Sequence, residues 1–292
     1  MPSLAVAAAL MAFSALIQVL DSVIVRTLVA ELHPFQILFF RNLFSLIVLA
    51  PLVAPADRAL TDRTPAGPRG LWLAHGSRAV LKLAAMACAF YGIALLPLSV
   101  FTAIAFTTPL FGALGAILFL GERLRALRLA ALALGFLGIL VVLRPGEAAG
   151  ASSFGAGAAL ALAGALGLAA VVLLMKFTSA QESPMRIVWL NLLISAPLGL
   201  AMAAPVWTTP SLVALGLMAL QGAGGLAAQL AVANAMRRAD ASLLVAIDFI
   251  RLPLAVALGY VLFAEPVEPP VLVGGAIILA ALLLLFSRAA RR

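Results

Sequence analysis

"LSVFTAIAFTTPLFGALGAILFLGE", residues 98–122, and "ASLLVAIDFIRLPLAVALGYVLFAE", residues 241–265, are two versions of one stretch. Ser99 to Glu122 and Ser242 to Glu265 both span 23 positions, with a proline, Pro109 or Pro253, between them. Each is an almost unbroken apolar run, and about 20 such residues in a helix cross the ~30 Å of a bilayer's hydrocarbon. The correspondence reaches further. Gly138 and Ala281 both lie 16 residues past the acid, and Arg26 and Lys176 each precede a proline, Pro34 or Pro184, by eight. The chain therefore carries one membrane-crossing unit twice, residues 1–147 and 148–292.

Working outward, the whole composition fits that solvent. Of 292 residues, 65% are hydrophobic and only 10% charged, and the mean hydropathy is +1.18. Water-soluble domains are about half apolar and a quarter charged, so this chain lacks the charge to cover a soluble surface. Ten segments have the length and polarity of spans, at about 4–29, 35–53, 71–95, 98–120, 126–143, 154–178, 185–204, 211–236, 242–263 and 271–287. Helices are expected because lipid leaves no backbone group satisfied from outside. "HPF", "APADRALTDRTPAGPRG", "RPGEAAGASS" and "EPVEPP" punctuate them. The N-terminal run has no preceding basic residue and is too long for a signal-peptide core, so it reads as a retained first span.

Five spans per unit is an odd number, so the copies are expected to cross in opposite senses, an architecture of transporters with a substrate site where the repeats meet. Most of the 19 Lys and Arg fall in alternate loops: Arg58, Arg63 and Arg69; Arg123, Arg125 and Arg128; Lys176 and Arg186; Arg237 and Arg238; Arg288, Arg291 and Arg292. Arg144 and Arg26 fall on the other side. The positive-inside bias then places both termini in the cytoplasm. It also accounts for the formal net charge of +8 without any nucleic-acid groove.

The charged residues inside the spans are the candidate site. Aligning Ser99 with Ser242 sets Asp248 opposite Ala105, so the first copy builds the same helix without an acid. A charge near the bilayer centre costs roughly 3 kcal/mol and is by default a functional candidate. Asp248 and Arg251, three apart, could also simply neutralise each other. His75, Arg78, Lys82 and Met86 form one helical stripe, with Arg78 ~10 Å and Lys82 ~16 Å from the cytoplasmic end, in the same layer as Asp248 and Arg251. Ser14, Gln18 and Asp21 share a face of span 1, and Arg41 lies at a depth that allows an ion pair with Asp21. Gln221, Gly225 and Gln229 line span 8, where amides commonly bond between helices. The cations outnumber the acids, and unpaired buried cations call for an anionic partner. A cargo carboxylate would meet that need, and Asp248 or Asp21 could receive an ammonium. Pro109 and Pro253 should kink spans 4 and 9 and are the candidate hinges. The Gly- and Ala-rich span 6 should allow close helix approach.

"FFRN" in span 2, "SRAVLKLAAMACAFYGIALLPLS" across span 3 and "TPLFGALGAILFLGE" ending span 4, together with the 5+5 plan, resemble the drug/metabolite transporter superfamily, specifically its ten-helix EamA-type permeases. The second copy departs from the pattern with "FAEP" where the first has "FLGE". The resemblance implies a central cavity built by the first four helices of each half, the fifth helix peripheral, and secondary transport of small metabolites across the bacterial inner membrane.

The expectation is an all-α integral membrane protein of ten helices that moves polar or zwitterionic metabolites by alternating access, with amino-acid export favoured. Uptake of riboflavin- or S-adenosylmethionine-like metabolites is the alternative, and a passive channel the alternative of a different class. An enzyme is not expected, because His33 and His75 lie at opposite ends, Cys88 has no evident partner, and HExxH and GxSxG are absent. The partners expected are a small-molecule substrate and the bilayer, with the proton a candidate coupling ion. No cofactor, metal or nucleic acid is called for. A monomer is expected, a dimer being compatible.

Overall fold

A computed structural model of the chain describes residues 2–53, 67–120, 126–144, 152–178, 184–239 and 241–286. Arg58, Arg63, Arg123, Arg125, Arg288, Arg291 and Arg292, which carry much of the orientation argument, lie outside the described residues. Every regular element among those described is a helix: α1 Pro2–Leu28, α2 Pro34–Leu49, α3 Gly67–Leu95, α4 Leu98–Ala105, α5 Thr108–Leu120, α6 Ala126–Leu143, α7 Ser152–Thr178, α8 Pro184–Ala203, α9 Leu212–Met236, α10 Ala241–Asp248, α11 Arg251–Phe263 and α12 Pro269–Phe286.

Local chemistry sets the ends of these helices. Pro34, Pro184 and Pro269 each open a helix, where the missing N–H would have no intrahelical partner anyway. Ser211 accepts from Ala214 N–H at 3.1 Å to cap α9. Short 3-10 turns at Ala50–Leu52 and Ala204–Val206, each with a proline, finish α2 and α8. Among the described residues, seven helical stretches are long and apolar enough to cross a membrane: Leu4–Leu28, Pro34–Leu52, His75–Leu95, Leu98–Phe119, Phe154–Leu174, Met185–Val206 and Leu212–Met236. Shorter apolar helices occupy Leu129–Leu143, Arg251–Phe263 and Pro269–Leu285.

The stretches expected as spans 4 and 9 are interrupted, but upstream of the expected place. α4 gives way to α5 at residues 106–107, and α10 to α11 at residues 249–250. Thr107 N–H bonds to Ile104 O at 2.9 Å and Ile250 N–H to Ile247 O at 3.1 Å, tight turns in place of the regular ladder. Pro109 and Pro253 sit in the first turn of the helix that follows. There they cost no backbone bond and serve as starters of a new helix. The two breaks keep the register that sets Ser242 opposite Ser99. Phe106 and Phe249, the first residue of each break, touch one another with ring centroids 5.0 Å apart.

Close approaches between helices rest on glycine. At the crossing of α6 and α12, a Cβ on Gly138 would meet Gly274 O at 2.9 Å, and one on Gly274 would meet Gly138 O at 2.7 Å. Gly164 of α7 lies so near α3 that a Cβ would meet Ala85 O at 3.0 Å, which answers to the expected role of span 6. The largest apolar cluster joins Val100, Ile104, Phe106 and Leu110 to Ile139, Ile278 and Leu282, around the break in span 4.

Helix ends gather at two poles. At the first, Arg26 donates to the carbonyls of Ile93 (2.6 Å), Ala94 (3.1 Å) and Leu96 (2.8 Å), and Arg144 pairs with Glu268. Gln36 bonds to Thr208 there, and Glu31 accepts from Ser211 N–H at 3.1 Å. At the second, Ala7 and Met11 pack with Ala235 and Leu244, and Leu49 and Val53 with Met185, Val188 and Leu192.

Candidate functional site

Between the two poles, the polar face of α1 organises two ion pairs. Asp21 receives Arg41 Nε of α2 at 3.2 Å, the pairing that depth along the helices predicts. Arg41 Nη1 also approaches Met86 Sδ of α3 at 3.7 Å. One turn earlier, Gln18 donates to Ser14 Oγ at 3.0 Å and accepts from Arg251 Nη1 at 2.8 Å. Arg251 Nη2 closes on Asp248 Oδ2 at 2.6 Å across the break in span 9, and its guanidinium lies 4.4 Å from the centroid of the Phe106 ring. The reading in which Asp248 and Arg251 neutralise each other is thus realised geometrically. Arg251 is held on three sides, by an acid, an amide and an aromatic face.

Next to this network, α2, α3, α8 and α9 leave a narrow cleft lined by Arg41, Asn42, Ser45, Lys82, Val188, Leu192, Gly225, Leu226 and Gln229. Its walls meet closely because Ser45 Oγ donates to Gly222 O at 2.9 Å, and a Cβ on Gly225 would meet Arg41 Nη2 at 3.0 Å. Lys82 enters the cleft beside Arg41. No acidic residue among those described lies within ion-pair distance of it. The space has room for about one water molecule. This cleft is therefore too narrow for a small-molecule cargo, since the glycine contacts draw α2 and α9 together.

Other expected residues are placed elsewhere. Arg78 is 2% exposed; it donates to His75 Nδ1 at 2.7 Å and reaches Ile187 O of α8 at 3.4 Å, so it ties α3 to α8. His75 is buried and in hydrogen-bond contact with Arg78. Gln221 is buried with Oε1 and Nε2 free of hydrogen-bond partners among the described residues, and it is not one of the cleft's lining residues. Arg186, expected in a loop, is 2% exposed, because α8 begins at Pro184 and draws it into the bundle. Asn42, the last residue of "FFRN", and Ser45, three residues beyond it, are not among the candidate site residues of the sequence reading, yet both line the cleft.

A second linkage is equally hidden from the sequence. Glu265 accepts from Leu98 N–H at 2.7 Å, at the N-terminus of α4 where a carboxylate is favoured, and pairs with Arg26 Nη2 at 3.5 Å. It is aimed there by Ala264, whose left-handed backbone (φ 52°) ends α11 with an N–H to Gly259 O. Its one trace in the sequence is the altered "FAEP" itself.

The model of the EamA-like transporter family matches residues 5–144 and 155–287. The chain is 27% identical over 264 residues to an S-adenosylmethionine uptake transporter of Rickettsia bellii, covering 90% of this chain and 87% of the other. It is 34% identical over 221 residues to a riboflavin transporter of Rhizobium johnstonii, covering 75% of this chain and 71% of the other. A solved crystal structure superposes with a TM-score of 0.62 at 19% identity, over 97% of this chain and 98% of that one, and so shares the fold. The helices, the buried charges and the family match agree: this chain belongs to the EamA-like transporter family and is a multi-pass small-molecule transporter of the bacterial inner membrane, not an enzyme.

Proposed function

We propose that this transporter carries a small zwitterionic metabolite, one with a free amino-acid end, by alternating access between two inverted five-helix repeats, and that its physiological direction is uptake. One observation carries the choice of cargo. Asp21 and Arg41 pair, as do Asp248 and Arg251, whereas Lys82 stands in the cleft with no acidic partner among the described residues. A carboxylate on the cargo would supply the missing charge. S-adenosylmethionine, the cargo in the name of one set of relatives, has that group, and their name favours uptake over the export otherwise expected of an amino-acid carrier.

Several features support ten spans in two opposed halves. The family model matches each half, the two breaks share one register, and Phe106 touches its own counterpart, Phe249. Contact between equivalent positions is what an axis relating two repeats produces. Pro109 and Pro253 are then the first fixed residues beyond two flexible joints. The pole with Arg26 is the outer one and that with Ala235 the inner.

Counterflow in proteoliposomes tests this reading with S-adenosylmethionine, methionine, leucine and riboflavin as probes. S-adenosylmethionine or an amino acid should exchange, and Lys82→Met should lower that exchange by about tenfold, the effect of losing roughly 1.4 kcal/mol of binding. Exchange of riboflavin alone, unaffected by Lys82→Met, would favour the second reading, to which the 34% identity with the riboflavin transporter points. Flux without trans-stimulation would mean a channel.

A further inference from the structure

We infer that Asp248 is the proton-binding site of this transporter, and that protonating it breaks its pair with Arg251 and frees the joint in span 9. The inference rests on the carrier reading and adds to it the coupling ion and the residue that holds it.

Four observations converge on Asp248. The carboxylate ends α10 and the guanidinium of Arg251 begins α11, so each charge sits at the helix end where the backbone dipole opposes it. Their mutual contact at 2.6 Å is what holds them. Second, the break does not need them. In the register of the two repeats, Ala105 stands where Asp248 does and Thr108 where Arg251 does, and α4 is still interrupted before α5. Third, Asp248 Oδ1 is shielded from solvent and has no hydrogen-bond partner among the described residues. A carboxylate oxygen left this way gains little from its charge, and a proton can settle on it without displacing a donor. Fourth, Arg251 keeps Gln18 Oε1 and the Phe106 face when the acid is neutralised, so it need not follow Asp248.

The charged groups on the elements packed against this joint are few. α1 brings Asp21, occupied by Arg41, and Arg26, occupied by Glu265. α9 brings Arg237 and Arg238 at its exposed inner end, the latter donating to Asn234 O at 2.7 Å. α4 and α12 bring none. Among the described residues, no other acid competes for the proton next to Arg251. In the step itself, one proton from water on the more acidic side adds to Oδ1. The ion pair opens, leaving a neutral acid and a cation still bonded to Gln18. The strand between α10 and α11 then has no electrostatic tie across it.

Two measurements test this. In infrared acid/base difference spectra of the reconstituted protein between about pH 5 and 8, without cargo, a protonated-carboxyl band should appear and be absent from Asp248→Asn. No such band in the wild type, or the same band in the variant, overturns the inference whatever the cargo is. In proteoliposomes with S-adenosylmethionine as probe, a pH difference of about one unit should drive roughly tenfold accumulation in the wild type. Asp248→Asn should abolish the accumulation, and Asp248→Glu should retain it. Accumulation that persists in Asp248→Asn overturns it. Absence of wild-type counterflow would instead count against the cargo reading, and the infrared band alone would then decide for or against Asp248.

Discussion

Asp21 and Arg41 meet as their depths in spans 1 and 2 require, and this was legible because a helix converts residue number into height at a fixed rise. Height alone does not give azimuth. Lys82 and Arg78 lie one turn apart on one helix, yet Lys82 enters the cleft while Arg78 turns to α8. Arg186 is counted with the loop cations although the expected span opens at 185; the helix opens at Pro184 and carries it into the interior. Ala264 carries a further lesson at this scale. Its backbone is left-handed (φ 52°), a conformation costing about 1 kcal/mol or more with a side chain and little without one. The first repeat has Gly121 in the same register. Ala264→Gly is therefore expected to stabilise the protein by about 1 kcal/mol, read as a raised melting temperature in detergent. A lowered one would mean that the Ala264 methyl makes contacts worth more than the strain.

Among the elements, the repeated prolines marked the interrupted spans correctly and their position less so. A proline spoils the bond that its own N–H would make to the residue four earlier, and the chain answers by ending the helix before it. The breaks at residues 106–107 and 249–250 are that answer. Pairing between helices was harder to read, since small residues permit contact without naming the partner. Gly138 is an example: α6 could have met any neighbour, and it meets α12 backbone to backbone. Gly138→Val should push the two helices apart at a cost of about 1–3 kcal/mol, seen in thermal unfolding, and Gly138→Ala by less. Gly76, where an added Cβ would meet nothing within 4 Å, is the matched control, and Gly76→Ala should leave the transition unchanged or raise it, since alanine is the better helix former. Equal effects at both positions would refute the packing role of Gly138.

For the whole molecule, apolar length made the helical membrane class plain, and the internal repeat pointed to a carrier. Composition does not say how closely particular helices approach, because at Gly138, Gly222 and Gly274 the approach rests on the missing side chain rather than on hydrophobicity. Sidedness is open to direct test. In a background with Cys88→Ala, single cysteines at Thr208 and Ser211 should react with an impermeant maleimide in right-side-out vesicles, and one at Arg238 only after permeabilisation. The reverse pattern would invert the assignment of the two poles.

The rim held by Arg26 has a directional meaning. One guanidinium there, itself about a quarter exposed, covers the carbonyls of Ile93, Ala94 and Leu96 and the carboxylate of Glu265. Peeling it away forfeits bonds that the aqueous phase replaces at once, while parting the apolar seam of Leu49, Val53 and Leu192 at the opposite pole would wet bare hydrocarbon. The two poles are thus fastened by materials of opposite temper: salt and denaturant should loosen the first, and cooling the second.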